Sequence, residues 1–120
     1  MPHIKIETTS NLKMDFQAFF KELAEEMVKT GHATQMGIKC RKVDTDEYYI
    51  IDGDADYKMA NLLIRLREGR SEETLVEFSN IGMNLMKKYL QKDVEAKTVI
   101  LSTEIKELKK GRDLTFNAVR

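Results

Sequence analysis

The chain has 120 residues, of which 42% are hydrophobic and 33% charged, which suits one ordinary globular domain and leaves little room for two. Lys plus Arg and Asp plus Glu are each 20, so the formal net charge is zero, which argues against a general nucleic-acid or anionic-membrane binder and still allows a local cationic pocket. Cys40 is the only cysteine, so no intrachain disulfide forms and no zinc cluster is suggested.

The opening Met1-Pro2-His3-Ile4-Lys5-Ile6-Glu7 lacks a basic stretch followed by an apolar run, so it does not read as a signal peptide. No segment approaches the ~20 apolar residues that span a membrane. A cytoplasmic protein is expected. Pro2, Ile4 and Ile6 alternate with His3, Lys5 and Glu7, which predicts a strand. An amphipathic helix follows over roughly residues 14 to 30, with Phe16, Phe19, Phe20, Leu23, Met27 and Val28 on its apolar face. Thr30-Gly31 ends it, with glycine suited to the left-handed position past a helix end.

Residues 36 to 51 read as strand with a break. Met36 to Val43 is one run, Asp44-Thr45-Asp46 a turn, and Tyr48 to Ile51 a second run, with Asp52-Gly53-Asp54 a further turn. The pattern then repeats. Ala60, Leu62, Ile64 and Leu66 alternate within Lys58 to Arg67. Gly69-Arg70-Ser71 turns the chain, Ser71 is a helix N-cap, and Glu72 and Glu73 fit the first turn of a helix that runs to about Gln91. Its inner face is Leu75, Phe78, Gly82, Leu85, Met86 and Tyr89. Val99, Leu101, Thr103 and Ile105 mark the last main strand, and Leu114 to Asn117 reads as a short additional one.

The order is therefore β-α-β twice, in one domain over residues 1–120 with units of about 1–56 and 57–120. Right-handed crossovers place both helices on one face of one sheet. The other face needs a cover, and in so short a chain further subunits are the expected one.

Removal of Met1, usual before a small residue, would leave Pro2 with a free secondary amine at the start of a strand. In an apolar pocket near cations its protonated form is disfavoured, which brings it toward the range a proton-transferring base needs. The plain alternative is a residue merely exposed by processing. Lys39 and Arg41 are two apart on a strand and leave the same face. Arg70 stands between a glycine and a helix N-cap, where its planar fork could grip a carboxylate. Read plainly, these are three surface cations. His3 suits a structural and a catalytic role about equally, His32 reads as a loop residue, and Cys40 as a small packed side chain. There is no H-x-x-x-H, C-x-x-C or dense Asp/Asn loop for a metal, and no G-x-G-x-x-G or Walker sequence for a nucleotide.

Pro2-His3-Ile4 with Glu7, Thr30-Gly31, Gly37 to Arg41, Asp52-Gly53, Gly69-Arg70-Ser71-Glu72-Glu73 and Leu101 to Leu108 fall in the order and spacing of the 5-carboxymethyl-2-hydroxymuconate isomerase family, which the chain resembles over nearly its whole length. Ala60 through Leu90 is also similar to one subunit of 4-oxalocrotonate tautomerase, with Ala60 where that relative has its catalytic proline. The resemblance implies an α+β tautomerase fold of duplicated β-α-β units, a mixed sheet, a homotrimer without cofactor, and one active site per chain. It implies Pro2 as the base, Arg70 as a carboxylate-binding residue and Arg41 at a matching arginine position. Lys39 stands where the family usually has arginine, and the segment between Arg41 and Asp52 is shorter here. The implied reaction turns a polycarboxylate 2-hydroxydiene into a 2-oxo-enoate in aromatic catabolism. The rival readings are a tautomerase for another enol or keto acid and a trimeric binding protein without catalysis.

Overall fold

Strand β1 (His3–Thr9) realises the expected alternation: Ile4, Ile6 and Thr8 are buried, while His3 and Lys5 on the other side are only half-buried. The structure is a computed structural model and describes residues 2–119. Helix α1 (Phe16–Lys29) starts at Asp15, whose carboxylate accepts from the Ala18 amide at 3.1 Å, and it ends at Thr30 with Gly31 at φ +81°. A 3₁₀ turn (Gln35–Gly37) leads into β2 (Lys39–Thr45). The second half repeats the plan with β3 (Lys58–Arg67), α2 (Glu72–Tyr89) and β4 (Val99–Leu108), and a short α3 (Gln91–Glu95) lies before β4. Ser71 caps α2 through the Thr74 amide at 3.2 Å.

The four strands form one mixed sheet in the order β2-β1-β3-β4. β1 runs parallel to β2, β3 runs parallel to β4, and the two central strands are antiparallel. In the centre Ile4 faces Ile64, Ile6 faces Leu62 and Thr8 faces Ala60, so the buried residues of both halves share one side of the sheet. Phe19, Leu23 and Met27 of α1 and Leu75, Phe78, Leu85 and Met86 of α2 pack on that side. Phe19 meets Tyr89 edge-on at 5.6 Å, and Glu22 accepts from Lys88 and Tyr89 at 2.8 Å each, which ties the helices together. At Gly82 a Cβ would lie 2.5 Å from Leu62 Cδ2, so the glycine is what lets α2 approach β3. Both helices thus cover one face, and the opposite face carries the polar series that begins with His3, Lys5, Arg65 and Arg41.

Three local expectations need correction. The run 48–51 is not a strand: Gly53 N–H donates to the Ile50 carbonyl at 2.8 Å, Ile51 takes φ +56°, and the Asp52 and Asp54 carboxylates accept from the amides of Asp54 and Asp56. These turns use the backbone groups that a ladder would need. Conversely β2 starts only at Lys39 and continues through the expected turn at Asp44-Thr45, because those two residues pair with Thr8 and Thr9. The segment 114–117 forms no strand. Instead Thr115 Oγ1 bonds His3 Nε2 at 3.1 Å and Asn117 Nδ2 donates to the Met36 carbonyl at 3.4 Å, so the tail crosses one end of the sheet.

Candidate active site

The sheet topology decides which residues share an end. β1 and β2 start at the same edge, and the antiparallel β3 finishes there, as does β4. Pro2 stands at that edge, buried and in step with Ile4, Ile6 and Thr8. Its carbonyl accepts from the Lys39 amide at 3.1 Å. Lys39 therefore neighbours Pro2 through the backbone, while its own Nζ turns back to the Gly37 carbonyl at 2.6 Å.

Arg70 reaches the same end from the β3–α2 turn. Its Nε donates to the His32 carbonyl at 3.0 Å and its Nη1 to the Arg67 carbonyl at 3.1 Å. The guanidinium so fastens the segment leaving α1 to the turn before α2. Gly69, at φ +117°, supplies the bend that places it. Arg41 is different. It pairs with Lys5, exposed on the face opposite to the helices, whereas Pro2 is buried in step with the helix-facing residues. The start of β1, the start of β2 and the Arg70 turn thus share one end of the sheet in a single chain, but the Lys39 side chain, which pairs with His3, leaves the same polar face as Arg41, and neither is on the buried side with Pro2.

Pattern reading passed over Arg65. It is the register partner of His3, which in turn pairs with Lys39. Partial burial, then the charges of Lys39, Arg65 and Arg41, hold the His3 imidazole below its usual range, so the ring is neutral near pH 7. Cys40 faces the core side beside Ile4, and burial pushes its thiol up to about 11, which makes it a packing group and no nucleophile. His32 is an exposed loop residue, as expected, and contributes its carbonyl. Among the described residues no group of three or more His, Cys, Asp or Glu is placed to hold a metal ion, and no helix is long and apolar enough to cross a membrane. The expected removal of Met1 falls on a residue outside those described.

The sequence pattern of the 5-carboxymethyl-2-hydroxymuconate isomerase family matches residues 2–120. The chain belongs to this family. It is an isomerase with the fold of the 5-carboxymethyl-2-hydroxymuconate isomerases and of fused 4-OT. The 5-carboxymethyl-2-hydroxymuconate Delta-isomerase of Escherichia coli is 27% identical to it over 110 residues, or 90% of this chain and 87% of the relative. Among solved structures, a 5-carboxymethyl-2-hydroxymuconate isomerase from Deinococcus radiodurans R1 superposes with a TM-score of 0.88 at 22% identity, over 97% of this chain and 89% of that one. A fused 4-OT described as a symmetric trimer gives 0.72 at 13% identity, over 95% and 93%. At these identities the likeness is one of fold. It places the mixed sheet with both helices on one face among the isomerases of this family and their fused 4-OT relatives.

Proposed function

We propose that this isomerase shifts a double bond in a polycarboxylate 2-hydroxydienoate of the 5-carboxymethyl-2-hydroxymuconate type, in aromatic catabolism in the cytoplasm, with the free Pro2 nitrogen as its base and no cofactor. The nitrogen takes the enol O–H proton, the oxygen becomes a ketone, the diene electrons move along the chain, and the protonated nitrogen returns the proton to carbon. No atom is gained or lost. The observation that supports this reading is the buried Pro2 at the end of the sheet where β2 begins and where the Arg70 turn lies, in a chain of this family.

The developing enolate oxygen and the carboxylates need fixed positive charge, which Arg70, Arg41 and Lys39 supply in this reading. Arg41 and the Lys39 side chain lie on the other face from Pro2 within one chain, so their part in the reaction is read as a contribution to a neighbouring copy of a homotrimer. The exposed polar face of the sheet supports such an assembly, as does a relative described as a trimer. Residues 1–120 act as one domain of two units, divided near residue 56.

Kinetics with the dienol test the reading. Pro2→Ala leaves a primary amine, so reduced turnover is expected, within the factor of about 10² to 10⁴ that a general base supplies. Arg70→Ala is expected to weaken both binding and turnover. Unchanged kinetics in both variants would dispose of the reading. Lys39, bonded to the Gly37 carbonyl where the family usually has arginine, favours as a second reading another enol or keto acid. A panel of 2-hydroxydienoates and phenylenolpyruvate separates the two.

A further inference from the structure

The polar face of the sheet holds, at the Pro2 end, a concavity of about 340 Å³ that the reading above does not use. His3 and Arg65 form its floor. Arg112, Asp113, Leu114 and Thr115, from the segment after β4, form its wall. Register puts Arg65 there. It pairs with His3 on one side and Lys106 on the other, and His3 pairs with Lys39, so Lys39, His3, Arg65 and Lys106 make one row across the sheet. Neighbours in such a row stand about 5 Å apart.

The two arginines of the concavity are in different states. Arg112 is matched: its Nε and Nη2 donate to Asp113 Oδ2 at 3.1 and 2.7 Å. That bond also holds the Asp113 carboxyl below its usual range, so the pair is neutral as a unit. Arg65 is unmatched. It forms no ion pair among the described residues, and its buried Nε has no hydrogen-bond acceptor there. A buried charged donor without an acceptor is costly, and an incoming anion removes the cost. The volume suits a small ligand rather than a polymer. The planar fork suits a carboxylate.

We propose that Arg65 and His3 form a second carboxylate subsite, with the Thr115 segment as its outer wall; it lies on the polar face with Arg41 and so, in the homotrimer of the reading above, takes a carboxylate of the substrate at a neighbouring copy's Pro2. Its catalytic use rests on the function proposed above. Its affinity for a carboxylate does not.

The test is a titration of the full-length protein with adipate, read by the ring resonances of His3 and by calorimetry, with hexanoate as the one-carboxylate comparison. Saturable movement of the His3 signals by adipate is expected. Arg65→Ala is expected to weaken adipate about tenfold or more, the cost of losing a charge-assisted fork. Lys87→Ala, an equal loss of charge on the exposed side of α2, should leave affinity unchanged. Should Arg65→Ala fail to fold, Arg65→Lys keeps the charge and loses the fork, and a smaller but definite loss is expected. With the dienol, Arg65→Ala should raise KM with kcat largely kept. Adipate affinity equal in wild type and both Arg65 variants, or equal losses in the Arg65 and Lys87 variants, overturns the subsite. If wild type binds adipate at His3 but turns over no dienol, the subsite stands and the proposed reaction falls. If the dienol is turned over and neither KM nor adipate binding responds to Arg65, the reaction stands and the subsite falls.

Discussion

The Lys39 amide donates to the Pro2 carbonyl at 3.1 Å, so the first bond of the β1–β2 ladder is made by the residue proposed as the base. Ladder pairing holds Pro2 through its carbonyl and so fixes the backbone that carries the nitrogen. Any movement at the start of β2 therefore moves the base. Lys39→Pro removes this amide and is expected to lower kcat more than a Lys39→Met change that keeps it. Equal kcat in the two variants would count against a positioning role for the bond.

Arg70 fastens two backbone carbonyls in this structure, and that task separates by substitution from the substrate binding proposed for it. Arg70→Ala removes the bonds to the His32 and Arg67 carbonyls and the charge together. Arg70→Lys keeps a charge but not the fork that reaches two carbonyls at once. Thermal melts should show a loss of stability in both, of order 1 kcal/mol after allowance for solvent exposure. Substrate affinity should fall further in the alanine variant. A stable alanine variant with unaltered KM would remove Arg70 from the site.

The core makes a sharper claim at Gly82. Alanine there gains up to about 1 kcal/mol of helix propensity. Its Cβ, however, would sit 2.5 Å from Leu62 Cδ2, on a side chain with no exposed surface. Overpacking of about 1 to 3 kcal/mol outweighs the gain. Gly82→Ala should lower the denaturant midpoint, and Gly82→Ala with Leu62→Val should recover part of the loss. A stabilised single variant would show that α2 has room to lift.

Most of the fold was legible because its signals are local. The alternation from Ile4 to Thr8 and from Ala60 to Leu66, the Ser71 cap and the left-handed Gly31 each follow from nearest neighbours along the chain. Tyr48 to Ile51 misled for the same reason. Its residue types favour a strand, but the aspartate-anchored turns after it take the backbone elsewhere. Arg65 was invisible because its meaning depends on register. Nothing near it in sequence says that it faces His3, and only the antiparallel pairing of β1 with β3 puts it there. Arg41 was legible as a cation on the same face as Lys39, and Pro2 as sharing a face with Ile4 and Ile6, but that the two sets lie on opposite faces depends on the β1–β2 register.

His3 gives a pH signature. Its folded value lies below the 6.5 of the free side chain, so between the two the unfolded chain binds more protons. Stability should therefore fall as pH drops below about 6.5 and level off once the lower folded value is passed. Melting temperatures of wild type and His3→Gln between about pH 7.5 and 5 test this, since the wild type should lose more across that window. Parallel curves would mean that neither burial nor the neighbouring cations act on the ring.

Cys40, pushed up to about 11 by burial, should be a poor nucleophile at pH 8. Alkylation of the native protein is expected to run roughly 100-fold slower than that of a small free thiol and to speed up on denaturation. Labelling at the rate of a free thiol would show the core side of β2 to be open.

The central claim is a free amine on Pro2, and one comparison tests it directly. Two preparations are made, one whose mass shows Pro2 as the first residue and one that keeps Met1. Each is given 5-carboxymethyl-2-hydroxymuconate, and the loss of its dienol absorbance is followed. Rapid isomerisation by the first and none above background by the second is the predicted result. Equal rates from both would contradict the account, because an amide nitrogen cannot take the proton.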